Sequence, residues 1–166
     1  IAPTSNFIPS VNNSLYIGTS ANVFNQIYST NVYSNAIHSF SGIVTVHDTL
    51  NVTGGIGLNS NSYFYANRVA FTNTVNQPID SFSVSEFRSG EYFLQFSDDN
   101  TLSYHVTKLV VYHDGSTAYS SEFAQLYNNS SLAVLTTDVS GSNVRIMVTP
   151  STANVVVKFS RNLITV

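Results

Sequence analysis

The chain has 166 residues, no Cys, no Trp, and six Lys or Arg against nine Asp or Glu. Charged residues make up 9% of it, against roughly 25% in an ordinary soluble domain, so solubility rests on neutral polar groups, 25 Ser, 16 Thr and 19 Asn. This excludes a phosphate-backbone footprint for nucleic acid, a helical membrane span and thiolate chemistry.

Apolar residues still reach 43% and aromatics 13%, more than an unfolded polar chain carries. The sequence opens on Ile1 with no basic and apolar leader, as expected of a processed chain or a fragment.

In chain order, the one window with helical spacing is Ala21 to Tyr33, where Val23, Phe24, Ile27 and Tyr28 recur against many Asn and Ser; one or two turns are the most it supports. Short apolar pieces stand at Leu15–Ile17, Ile43–Val46, Ile56–Leu58, Tyr63–Tyr65 and Val69–Phe71, each separated by Ser, Thr, Asn and Gly. Strands this short gain stability by stacking on equivalents. Residues 1–80 therefore read as an extended, repeat-like β segment, with a boundary at Gln77-Pro78-Ile79-Asp80, because Pro cannot continue a central strand.

From Ser81 the pattern is period two. Ser83–Phe87 and Tyr92–Ser97 read as a hairpin over Ser89-Gly90-Glu91. Asp98-Asp99-Asn100 turns into a strand in which His105, Thr107, Leu109, Val111 and His113 share one face, and Tyr104, Val106, Lys108, Val110 and Tyr112 the other. His113-Asp114-Gly115-Ser116 has the chemistry of a tight turn. Further strands follow at Tyr119–Tyr127, Leu132–Thr137, Val144–Thr149 and Val155–Phe159, the last continuing weakly to Val166. The fold class expected is all-β, with 81–166 an antiparallel β-sandwich of jelly-roll type.

The residues Leu15 to Val32, with Ile17-Gly18-Thr19-Ser20, Phe24, Ile27 and Tyr28, resemble a cassette of bacteriophage tail-fibre shafts. Ser41–Val46 and Leu50–Gly55 are similar to the shaft repeats that follow it. Residues 82–166, through Tyr104–Gly115, Ser140–Ile146 and Val157-Lys158-Phe159, look like a domain of structural proteins from marine tailed phages. The resemblance implies a virion component, trimeric if it is a fibre, with no catalytic residues to carry over. The shortness of the shaft-like part favours a short fibre, an attachment knob or a decoration protein.

Chemistry is sparse. Adjacent strand residues point to opposite faces, so neither His47-Asp48 nor His113-Asp114 makes a hydrogen-bonded couple without a bend. Asp98-Asp99-Asn100 offers oxygens for Ca²⁺ but lacks the remaining ligands of a full site, and the nine acids show no recognisable glycosidase pair. The sequons at Asn12, Asn51, Asn128 and Asn129 are expected by chance in so Asn-rich a chain. Tyr16, Tyr28, Tyr33 and Tyr63 are candidates for sugar stacking, although most aromatics on alternating strands belong to core or interface.

The expectation is thus a non-enzymatic virion structural protein with no catalytic, cofactor or metal site. It would self-associate as a homotrimer, join other virion proteins and contact a host-surface glycan, with no nucleic-acid partner and no membrane insertion. A secreted carbohydrate-binding β-sandwich is the alternative.

Overall fold

A computed structural model describes residues 49–166. The shaft-like cassettes at 15–32 and 41–46, the helical window and His47-Asp48 lie outside these residues. The described chain is all-β, with nine strands: β1 Ile56–Leu58, β2 Ser62–Ala70, β3 Gln77–Ser83, β4 Phe87–Asp98, β5 Ser103–His113, β6 Ala118–Tyr127, β7 Ala133–Ser140, β8 Asn143–Pro150 and β9 Val156–Thr165. Every pairing is antiparallel. One sheet has the order β1-β2-β9-β4-β5-β6 and the other β3-β8-β7, an unequal split, unlike the even division of an eight-stranded jelly roll.

The alternation expected of β5 decides the layering. His105, Thr107, Leu109, Val111 and His113 are buried, and Tyr104, Val110 and Tyr112 are exposed. Tyr92, Leu94 and Phe96 of β4, Val157, Phe159 and Leu163 of β9, and Val144, Ile146 and Val148 of β8 complete a core between the sheets. No second layer covers the other face of the six-stranded sheet among the described residues.

Three sequence expectations change. The compact unit runs from Asp48 to Val166, so β1, β2 and most of β3 belong to the two sheets and not to a separate segment ending at residue 80. β2 pairs with β9 along nine residues, from Ser62↔Ile164 to Ala70↔Val156, and Phe71 and Ile79 are buried in the shared core. Pro78 is accommodated because β3 is an edge strand and its register shifts between Pro78 and Asp80.

Ser89-Gly90-Glu91 is no turn. β4 runs straight through it, and the chain reverses at 84–86 instead. Gly90 is needed for close packing, since a Cβ there would lie 2.6 Å from Leu163 Cδ2.

The last strand, expected to continue only weakly beyond Phe159, runs unbroken to Thr165. Arg161 faces inward on it, where its guanidinium meets Asp80 of β3 and also donates to the Ser81 carbonyl at 3.1 Å. Tyr92 Oη donates to the same carboxylate at 2.8 Å, and the guanidinium lies 5.0 Å from the centre of the Tyr65 ring. Burial pushes the Asp80 carboxyl above its usual range, although Arg161 and Tyr92 pull the other way.

Candidate binding face

The uncovered face of the six-stranded sheet divides into two halves by the side chains its strands direct outward. Over β5 and β6 it is apolar: Tyr104, Val110, Tyr112, Tyr119, Phe123 and Leu126 are all exposed. Tyr112 and Tyr119 are directly opposed and stack at 4.9 Å with an interplanar angle of 13°. β6 forms the sheet edge, and a bulge interrupts it where the register shifts and Ala124 takes φ 56°.

Over β2, β9 and β4 the face is hollow and mixed in character. A cleft of about 620 Å³ lies between the 52–54 segment and the sheet, lined by Phe64, Phe93, Ser160 and Asn162 and by the Glu91–Lys108 pair. Lys108 Nζ donates to Glu91 Oε1 at 2.8 Å. A second hollow of about 500 Å³ shares Ala66, Phe93 and Ser160 with the first and continues to Arg68, Gln95 and Lys158. Phe93 is 48% exposed and Phe64 44%.

The register explains how these groups meet. Phe93 lies opposite Ser160, which lies opposite Ala66, while Phe64 lies opposite Asn162, which lies opposite Glu91. The two rings thus stand two strands and one row apart, roughly 12 Å from strand spacings of about 4.8 Å and a two-residue rise of about 6.7 Å. A hydroxyl and an amide lie between them. Aromatic rings can stack on the apolar face of a sugar while hydroxyl and amide groups bond its hydroxyls.

The residues singled out from sequence fall elsewhere. Tyr63 is not a platform: it faces inward, its ring 6.2 Å from that of Phe87, and the backbone of Gly55 packs against it. Tyr16, Tyr28 and Tyr33 lie outside the described residues. His113 is buried, with Nε2 at 2.7 Å from the Phe87 carbonyl. Its neighbour Asp114 turns away to accept from the backbone N–H groups of Ser116 and Thr117 at 2.9 and 2.8 Å, which holds its carboxyl well below the usual carboxylate range.

Asp98 is also buried, accepting from Asn100 N at 3.1 Å and Thr152 Oγ1 at 2.7 Å. Among the described residues no three His, Asp or Glu converge as a metal set would. Phe64 and Phe93 were missed by sequence reasoning. Their signal was present, an aromatic at an outward position beside Ser or Asn, but it is indistinguishable in sequence from a core aromatic until the sheet faces are assigned.

No known family and no curated protein matches the chain. Among the solved structures that resemble it in part are three phage tailspike proteins. That of Acinetobacter baumannii phage AM24 is 12% identical with a TM-score of 0.41, over 64% of this chain and 27% of that one. That of A. baumannii bacteriophage Fri1, a capsular polysaccharide depolymerase, is 20% identical with a TM-score of 0.42, over 68% and 20%. That of Acinetobacter phage vB_ApiP_P1 is 18% identical with a TM-score of 0.38, over 76% and 25%. The chain thus spans about a quarter of the length of these proteins or less.

The expectation of a chain without enzymatic activity is corrected at this point. One of the three structures it resembles in part, the Fri1 protein, is a capsular polysaccharide depolymerase.

Proposed function

We propose that the chain is a module of a bacteriophage tail, carried on the virion, that associates with copies of itself as a homotrimer and with other virion proteins and contacts host-surface glycan. Three observations support this reading. The shaft-like cassettes resemble phage fibres. The apolar strip over β5 and β6 exceeds what scattered surface residues need and suits a subunit contact. The near absence of charge lets surfaces associate without stripping water from ions.

The observation that carries the glycan contact is the cleft with Phe64 and Phe93 exposed around Ser160 and Asn162. A glycan array probed with the full chain tests it. Binding to a defined glycan class is expected, weakened about tenfold (about 1.4 kcal/mol) by Phe93→Ala. An array without signal, or a variant that binds as tightly as the parent, overturns the contact.

The same cleft supports the second reading, a secreted carbohydrate-binding module. Antibody labelling of phage particles separates the two: a label on the particle favours the tail module. A soluble monomer that binds glycan and is missing from particles favours the secreted one.

A further inference from the structure

All six Lys and Arg of the chain lie among the described residues, and four are engaged. Lys108 pairs with Glu91, Arg145 with Asp138 and Arg161 with Asp80, while Arg88 Nη1 donates to the His113 carbonyl at 3.2 Å. The side chains of Arg68 and Lys158 have no partner among the described residues, and they stand directly opposite each other on β2 and β9. Both are exposed on the uncovered face, where like charges in register repel and cost stability. A chain that spends only 9% of its residues on charge places these two cations side by side, in a hollow of about 500 Å³ floored by Phe93, Gln95 and Ser160.

From this juxtaposition we infer that the hollow is the anion-binding end of the glycan track, and that the ligand is an acidic polysaccharide whose charged substituent lies between Arg68 and Lys158. The inference rests on the glycan reading above and deepens it. The charges elsewhere along the track cancel, since Glu91 and Lys108 are tied to each other, so a neutral stretch of the polymer suits the Phe64–Phe93 cleft. An acidic unit suits the cation pair, whose mutual repulsion the bound anion relieves. Gln95, opposite Lys158 in the register, adds an amide that bonds hydroxyl or anion alike.

The test compares polygalacturonate with the same polymer after methyl esterification, which keeps the sugar backbone and removes its charge, with dextran sulfate as a second anion. The full chain is expected to bind polygalacturonate about three- to tenfold more tightly than the ester, the advantage fading as salt rises. The double variant Arg68→Gln/Lys158→Gln is expected to lose that advantage, binding acid and ester alike. Equal binding of acid and ester by the parent chain, or an acid preference that survives the double variant, overturns the inference while leaving the glycan reading intact. Binding of dextran sulfate alone overturns it in favour of a nonspecific anion patch. Binding of none of the three polymers overturns it as well, while the glycan array decides the glycan reading separately.

Discussion

Tyr92 and Asp80 join the two sheets through a single hydrogen bond of 2.8 Å in which a buried phenol donates to a carboxylate already held by Arg161. The three residues lie on β4, β3 and β9, so the contact fixes the small sheet at one position over the large one. Tyr92→Phe is expected to cost about 1.5–3 kcal/mol, the range for a bond to a charged group. Arg161→Met leaves the carboxylate buried without its cation and should cost more, about 3–5 kcal/mol. Urea denaturation of both variants checks the order, and an Arg161→Met chain as stable as Tyr92→Phe would show that the ion pair does not hold the sheets.

Gly90→Ala introduces a methyl 2.6 Å from Leu163 Cδ2 and 3.3 Å from Tyr92 Cε2, and both side chains are fully buried. A loss of about 1–3 kcal/mol is expected from overpacking, together with recovery in the Gly90→Ala/Leu163→Val double variant. Thermal melts of the single and double variants read this directly.

Asp114 sets an acid limit. Its carboxyl is held below the ordinary 3.8 by N–H groups of Ser116 and Thr117, so it stays ionised in the fold at pH values where the unfolded chain takes up a proton. Its contribution is therefore complete above about pH 4 and drains away as pH falls below that point. Melting temperatures followed from pH 7 to pH 2 should fall less steeply in Asp114→Ala than in the parent. Parallel curves would remove the turn as the cause.

His105 acts at milder pH. Its ring is buried against Phe96 at 5.4 Å, neither ring nitrogen has a hydrogen-bond partner, and burial pushes the imidazole below 6.5, opposed in part by Glu122. The unfolded chain protonates first, so stability is whole above pH 6.5 and declines as pH drops beneath it. His105→Phe is expected to flatten the melt between pH 6.5 and 5, and an NMR titration of the imidazole should find its midpoint under 6.5.

Val110 is the probe of self-association. It sits exposed in the middle of the apolar strip, opposite Ser121, so Val110→Lys leaves the core untouched and sets like charges on facing copies. Sedimentation should show the parent as an assembly and the variant at monomer mass, with unchanged far-ultraviolet circular dichroism. A variant of parental mass would locate the subunit contact elsewhere.

Much of the sandwich was legible because most of its strands alternate with a period of two. The faces of β5 and the turns at Gly115 and Gly141 follow from alternation and turn chemistry, whereas β6 departs from its alternation at the bulge by Ala124. What was missed has one physical origin, polar residues placed inward by partners distant in sequence. Arg161 disguises the second half of β9 because its partner Asp80 lies 81 positions earlier. Asp80 with Pro78 likewise disguises β3 as a linker. Gly90 read as a turn residue because its reason for being Gly, Leu163, is also remote. The binding face was illegible for a related cause: Phe93 looks like Phe96 until one knows which side of β4 is covered.

The strand order also bears on how the chain comes to be folded. β9, latest of the nine in sequence, lies between β2 and β4, so the large sheet exists as two unconnected ribbons until the stretch through Thr165 has been synthesised. Nascent chains must then wait, their greasy inner surfaces unshielded, for one closing step that stitches early and middle portions together. A chain that stops before Val156 lacks the one strand that joins β2 to β4, and its β1-β2 and β4-β5-β6 ribbons stay unconnected.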